Sequence, residues 1–224
     1  MKLVGSPEDW GDLIDSFVPD ILELIVSAWK EMPPLAPDAL EDPTTENLYR
    51  LLQQHRDTGG LPFQIHIQMA ELDPAAGEDQ GRMDIAFLPL IPREDIYFCL
   101  ECKRLNAKSK DGKTQTLTSE YITHGMLRFV RGQYAKRVKH GGMLAYVLDS
   151  DVDRAIKNVQ SLIKKRFDEL LMEAPGELLS SSIRPTETGM RETRHSRQHS
   201  PEIFQMHHFF VSASTACSIS GIAI

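Results

Sequence analysis

The chain has 224 residues, 41% of them apolar and 25% charged, which suits one soluble globular domain able to bury a core without metal or disulfide help. Its net charge of −7 excludes a general basic coat for nucleic acid, although Lys and Arg gather locally at 103–113, 128–139 and 164–166. Three cysteines make no closed disulfide framework, the first residues (MKLVGSPEDWGDL) lack the apolar core of a secretory signal, and no apolar run is long enough to span a bilayer; the expected setting is a reducing cytoplasm, with no membrane association.

Over 8–31, Ile14, Phe17, Ile21, Leu24, Ile25 and Trp29 fall at helical spacing and predict one long amphipathic helix. After a Pro-rich break, TTENLYRLLQQHRD predicts a second helix capped by Thr and ended near Gly59-Gly60. The period then changes to two: Phe63, Ile65, Ile67 and Met69 alternate with Gln64, His66, Gln68 and Ala70, a half-buried strand. RMDIAFLPL and DIYFCLECKRL predict two more strands, joined by a turn at 91–95. A Lys-rich loop leads to a third helix over roughly 118–138, GGMLAYVLD predicts a buried strand, and DVDRAIKNVQSLIKKRFDELL a fourth helix. Residues 174–202 are rich in Pro, Ser, Glu and Arg and predict a flexible linker or loop, after which FQMHHFFVS returns as a strand. The order implies a mixed α/β fold with a central sheet: a helical extension at 1–38, a core at 39–173, the linker, and a C-terminal strand and tail at 203–224.

The chemistry concentrates on the second and third strands. Glu101 and Lys103 are two apart and share a strand face; Asp84 lies 17 residues before Glu101 on the preceding strand. A two-residue loop at Pro92-Arg93 would set Asp84 opposite Glu101, and a four-residue loop from Pro92 to Asp95 would set it opposite Lys103. Either register gathers two carboxylates and an ammonium within a strand spacing of ~5 Å. Carboxylates are the ligands Mg²⁺ takes alongside waters and phosphate oxygens, and an ammonium can position a water or stabilise charge on a phosphoryl group. The competing reading is a cross-strand salt bridge on an exposed sheet; the apolar neighbours Tyr97, Phe98, Cys99 and Leu100 make this strand unlike a solvated edge.

The constellation of Asp84 with Glu101-Cys102-Lys103 resembles the PD-(D/E)XK nuclease superfamily, with Met83 where the pattern has Pro. The resemblance extends to the helix–strand–strand–strand–helix–strand order over roughly residues 40–150. It implies a restriction-endonuclease-like αβββαβ core and a Mg²⁺-dependent nuclease (Mn²⁺ substituting) that hydrolyses phosphodiester bonds of nucleic acid, DNA before RNA, in bacterial restriction or anti-phage defence. It also implies Asp84 and Glu101 as metal ligands, Lys103 as the catalytic partner, and a further metal carboxylate from Glu41 or Glu46, with Glu71 a weaker choice. Such nucleases commonly work as homodimers or in larger complexes.

On the third helix, Tyr121, Gly125, Arg128 and Gly132 trace one face, and Gln133 and Tyr134 lie close by. Two glycines in a helix call for close packing or close approach of a phosphate backbone. Arg128 and Arg131 are therefore candidate phosphate contacts and Gln133 a candidate catalytic residue, with Arg104, Lys108 and Tyr134 as further candidate nucleic-acid contacts. Packing glycines with solvent-facing arginines would read the same way.

Cys99 and Cys102 spell C-x-x-C, but on a strand they face opposite ways and read as core thiols, with Cys217 alone. His207 and His208 also face opposite ways, one expected in the core and one at the surface; His195 and His199 are expected in solvent. The rival function is a nuclease-like module without catalysis, a scaffold subunit in a larger complex.

Overall fold

The computed structural model describes residues 7–70, 81–91, 96–198 and 200–214, with side chains from Gly11 onward. Glu71, the turn at 92–95, His199, Cys217 and the last ten residues lie outside them.

The N-terminal amphipathic segment forms two helices, α1 (Pro7–Ser16) and α2 (Val18–Lys30), separated at Phe17. Pro19, which has no N–H and whose ring meets the carbonyl four residues back, explains the break in the single helix that the spacing predicts. Their apolar stripe is buried in the same core as the rest of the molecule, with Trp29 stacked on Tyr146 at 5.4 Å. Helix α3 (Glu41–Gly59) starts three residues before its Thr44-Thr45 pair and ends on Gly60, whose φ of +61° is the left-handed cap a glycine supplies.

Strands β1 (Phe63–Ala70), β2 (Arg82–Pro89) and β3 (Phe98–Leu105) follow, and a two-stranded ribbon, β4 (Ala107–Lys108) with β5 (Thr114–Gln115), extends from the end of β3. The expected third helix is α4 (Thr118–Tyr121), a π-helical turn (Ile122–Met126) and α5 (Leu127–Val130). It stops well before 138 because Gly132 adopts φ +77°. Strand β6 (His140–Val147), helix α6 (Val152–Lys165), and strands β7 (Leu179–Ser180), β8 (Met190–Arg197) and β9 (Ser200–Ser212) complete the order.

The main sheet has seven strands in the order β1-β2-β3-β6-β9-β8-β7, a mixed sheet with helices on both faces. Strands β1 to β3 are antiparallel, while β6 runs parallel to both β3 and β9. The fold is thus the mixed α/β class that the alternation of elements implies. The segment 174–202 differs from expectation: it contributes β7 and β8, and β8 pairs with β9 over most of its length. Its inward side chains are Thr193, His195 and Arg197, all buried, so it lacks the apolar alternation that marks a strand. Among the described residues no helix is long and apolar enough to cross a membrane.

Candidate active site

Ile85 pairs with Leu100, Ala86 with Cys99 and Phe87 with Phe98, and continuing that register sets Asp84 opposite Glu101. It is the first of the two registers considered, although β2 ends at Pro89 and β3 begins at Phe98, too far apart for a two-residue turn. Asp84, Glu101 and Lys103 therefore share one face of the sheet. The backbone N–H of Cys102 donates to Asp84 Oδ2 at 2.7 Å and fixes that carboxylate against β3.

Lys103 is the hub. Its Nζ lies 2.9 Å from Glu41 Oε1, 3.0 Å from Glu101 Oε1 and 3.9 Å from Asp84 Oδ2, and it also donates to the carbonyl of Cys102 at 2.8 Å. Helix α3 delivers Glu41 at its first residue, where the other oxygen, Oε2, accepts the backbone N–H of Arg104 at 3.2 Å. Both Glu41 oxygens are thus engaged by protein donors. Glu46, a turn further on, is exposed and faces Arg50 at 3.9 Å. Of the two glutamates considered, the structure brings Glu41 to the site and leaves Glu46 outside it.

Arg128 enters from α5. Its Nη1 donates to Glu101 Oε1 at 3.0 Å and to the hydroxyl of Tyr134 at 2.9 Å, and that hydroxyl in turn donates to the carbonyl of Arg82 at 2.8 Å. Glu101 Oε1 therefore faces two cations. Its Oε2 is buried with no hydrogen-bond partner. A buried, unpartnered carboxylate oxygen costs free energy unless something occupies it, and it is the feature of this site that asks for a ligand.

The electrostatics follow from burial. Glu101 is 1% exposed, and its pKa is pushed up to about 8, first by desolvation and then by the Asp84 charge, with Lys103 and Arg128 pulling the other way. Desolvation also raises Asp84, against Lys103 and the Cys102 N–H. For Lys103, burial pulls the pKa down, but Glu101, Asp84 and Glu41 outweigh it and hold the ammonium above its ordinary value. Burial likewise raises the Tyr134 phenol, aided by Glu101.

Gly125 sits in the π-helical turn directly over this floor. A Cβ there would lie 2.3 Å from Met143 Cε and 3.9 Å from Lys103 Cγ. Close packing is thus the reason for this glycine, whereas Gly132 ends the helix rather than continuing its face.

The remaining candidates separate. Arg104 is half-buried and holds the carbonyl of Ala39 at 3.1 Å. Lys108 is exposed on β4. Arg131 points to the α6 side, 3.4 Å from Glu169, and does not join the carboxylates. Tyr134 is fully buried, so it cannot stack on a base; it supports Arg128 instead. Gln133 lies past the helix end, its Nε2 beside Gly81 at the start of β2. Cys99 and Cys102 are buried thiols not joined in a disulfide, as their spacing implies. His207 and His208 are both buried, not one in and one out, because β9 is an inner strand covered on both faces; His195, expected in solvent, is fully buried too. The Arg128–Glu101 contact carried no spacing signal in the sequence, since the partners lie on a helix and a strand 27 residues apart.

Among the described residues, no three His, Cys, Asp or Glu side chains stand together as a ready ligand set for a metal ion. The carboxylates that fit one are the pair Asp84 and Glu101, a number Mg²⁺ commonly uses when waters and phosphate complete its shell. No protein-family model, curated protein or solved structure matches the chain.

Proposed function

We propose that this chain is a Mg²⁺-dependent nuclease of the PD-(D/E)XK type, hydrolysing phosphodiester bonds of nucleic acid, DNA before RNA. The observation that carries the reading is the buried Glu101 with one oxygen unpartnered, opposite Asp84 and beside Lys103. The element order supports it: helix α3, antiparallel β1-β2-β3, the α4–α5 segment, then β6 parallel to β3. Asp84 and Glu101 would hold Mg²⁺ or Mn²⁺. Such an ion lowers the pKa of a bound water and neutralises charge on the phosphate.

The protein's own groups would do the rest. Lys103, kept protonated by three carboxylates, offers N–H donors to the attacking water or to a phosphoryl oxygen. Glu41, with both oxygens engaged, orients Lys103 and closes the start of α3 onto β3. Tyr134 and the Arg82 carbonyl fix Arg128 against Glu101.

A second reading has one observation in its favour: Glu41, Lys103, Glu101 and Arg128 already pair with one another, as they would in a catalytically silent scaffold subunit. Incubating the protein with plasmid, linear duplex, single-stranded DNA and RNA in Mg²⁺, Mn²⁺ or EDTA, beside Lys103→Ala, separates the two. Metal-dependent degradation by the wild type and not by the variant supports the nuclease. No cleavage of any substrate, with no metal binding, supports the scaffold.

A further inference from the structure

We infer that the site takes a single divalent ion, and that Arg128 supplies the positive charge a second ion would otherwise bring. The inference rests on the nuclease reading above and concerns how its charge is balanced.

Three observations carry it. The third carboxylate, Glu41, has both oxygens directed at protein donors, Lys103 Nζ holding one at 2.9 Å and the Arg104 N–H the other at 3.2 Å, which leaves each oxygen one further lone pair. A two-ion centre needs carboxylate oxygens to spare on both sides of the phosphate, and among the described residues no third His, Cys, Asp or Glu joins Asp84 and Glu101. Next, Glu101 divides its two oxygens. Oε1 already faces Lys103 and Arg128, both at 3.0 Å, whereas Oε2 is buried and unpartnered, one vacant acceptor for one cation.

Third is the charge count. Among the described residues, Glu41, Asp84 and Glu101 bring three formal negative charges, and Lys103 and Arg128 two positive, leaving one negative. One divalent ion and one phosphodiester anion bring that remainder to neutrality. A second divalent ion would leave two positive charges in a desolvated site, where uncompensated charge is most costly. Arg128, held by the Tyr134 hydroxyl at 2.9 Å, has a side chain 30% exposed against 11% for Lys103, so it is the more accessible of the two cations to an incoming phosphate oxygen.

The test begins with the metal-free wild type. Equilibrium dialysis against Mn²⁺ should give one ion per chain, and cleavage should rise with Mn²⁺ along a hyperbola with a Hill slope of one. Two ions per chain, or a slope approaching two, overturns the inference while leaving the nuclease reading intact. No bound ion at all removes the nuclease reading, and this one with it. A second pair of variants tests the charge itself. Arg128→Gln should still bind one ion while cleaving about 100-fold more slowly or worse, and Arg128→Lys should recover much of that loss. Wild-type cleavage by Arg128→Gln, or equal loss in both variants, rejects Arg128 as the second cation.

Discussion

Two buried polar clusters lie on the same face of the sheet and are built in opposite ways. On the β2–β3 side, charged groups crowd together, Glu101 keeps a bare oxygen, and its pKa is pushed up to about 8. On the β8–β9 side, a chain of neutral groups from Leu170 through His195, Thr193 and His208 to Tyr121 leaves none of its own atoms over, although Arg197 Nε and His207 Nδ1 on the same strands are buried without partners. His195 Nδ1 lies 2.8 Å from the carbonyl of Leu170, which can only accept, so that nitrogen carries the proton. His195 Nε2 then accepts from the Thr193 hydroxyl at 2.7 Å. Thr193 accepts from His208 Nε2–H at 2.8 Å, and His208 Nδ1 accepts from the Tyr121 hydroxyl at 2.8 Å. Burial lowers His195 to about 4 and His208 well below its usual value, which keeps both rings neutral. A satisfied chain of neutral groups supports the fold, whereas an unpartnered acid oxygen set among other charged groups is a place where a cation can add stability.

The comparison can be broken from either side. The largest effect belongs to Lys103→Ala, which should lower the cleavage rate by about 100- to 1000-fold at saturating Mg²⁺, the size expected for a single electrostatic contact to the reacting phosphate. A variant that cleaves normally would put the chemistry elsewhere. Thr193→Val should do the reverse. It strips the shared hydroxyl from two buried imidazoles and should cost about 1–3 kcal/mol in a urea titration, with the cleavage rate of the folded protein unchanged.

Stability against pH sharpens the contrast without a substrate. Glu101 has a folded pKa of about 8 against an ordinary 4.5. Its contribution is present below pH 4.5 and lost as the pH rises through 8, and Glu101→Gln should flatten that loss in metal-free protein. The histidines run the other way. With His195 and His140 at about 4 and His207 at about 3, the unfolded chain binds protons first, so stability falls from pH 6.5 toward those values. Asp15, raised to about 6 by burial, offsets part of that fall. The smallest effect is expected of Arg131→Ala and Glu46→Ala, whose contacts are exposed ion pairs away from the carboxylates. Either one reducing cleavage as Lys103→Ala does would mean the nucleic-acid path crosses a different surface.

Much of the architecture was legible because apolar alternation reports burial. Phe63 to Met69 and the core of β2 and β3 announced themselves as strands, and the two-residue period alone put Glu101 and Lys103 on one face. Strand β8 stayed hidden because its buried side chains are polar and satisfied by one another, which no hydrophobic pattern records. The third helix was overextended because Gly132 read as a packing residue when its backbone conformation ends the helix. Within the site, Asp84, Glu101 and Lys103 followed from spacing. The choice between Glu41 and Glu46, and the recruitment of Arg128 by Glu101, depended on how α3 and α5 meet the sheet, a three-dimensional fact without a local signature.

The central claim is that the charged cluster is incomplete without a cation, and a melting curve tests it most directly. Metal-free protein at pH 8 should gain about 5 °C or more in Tm with saturating Mn²⁺, as expected for a ligand bound only by the folded state, and Asp84→Asn should gain none. An absent shift in the wild type, or an equal shift in the variant, would contradict the account.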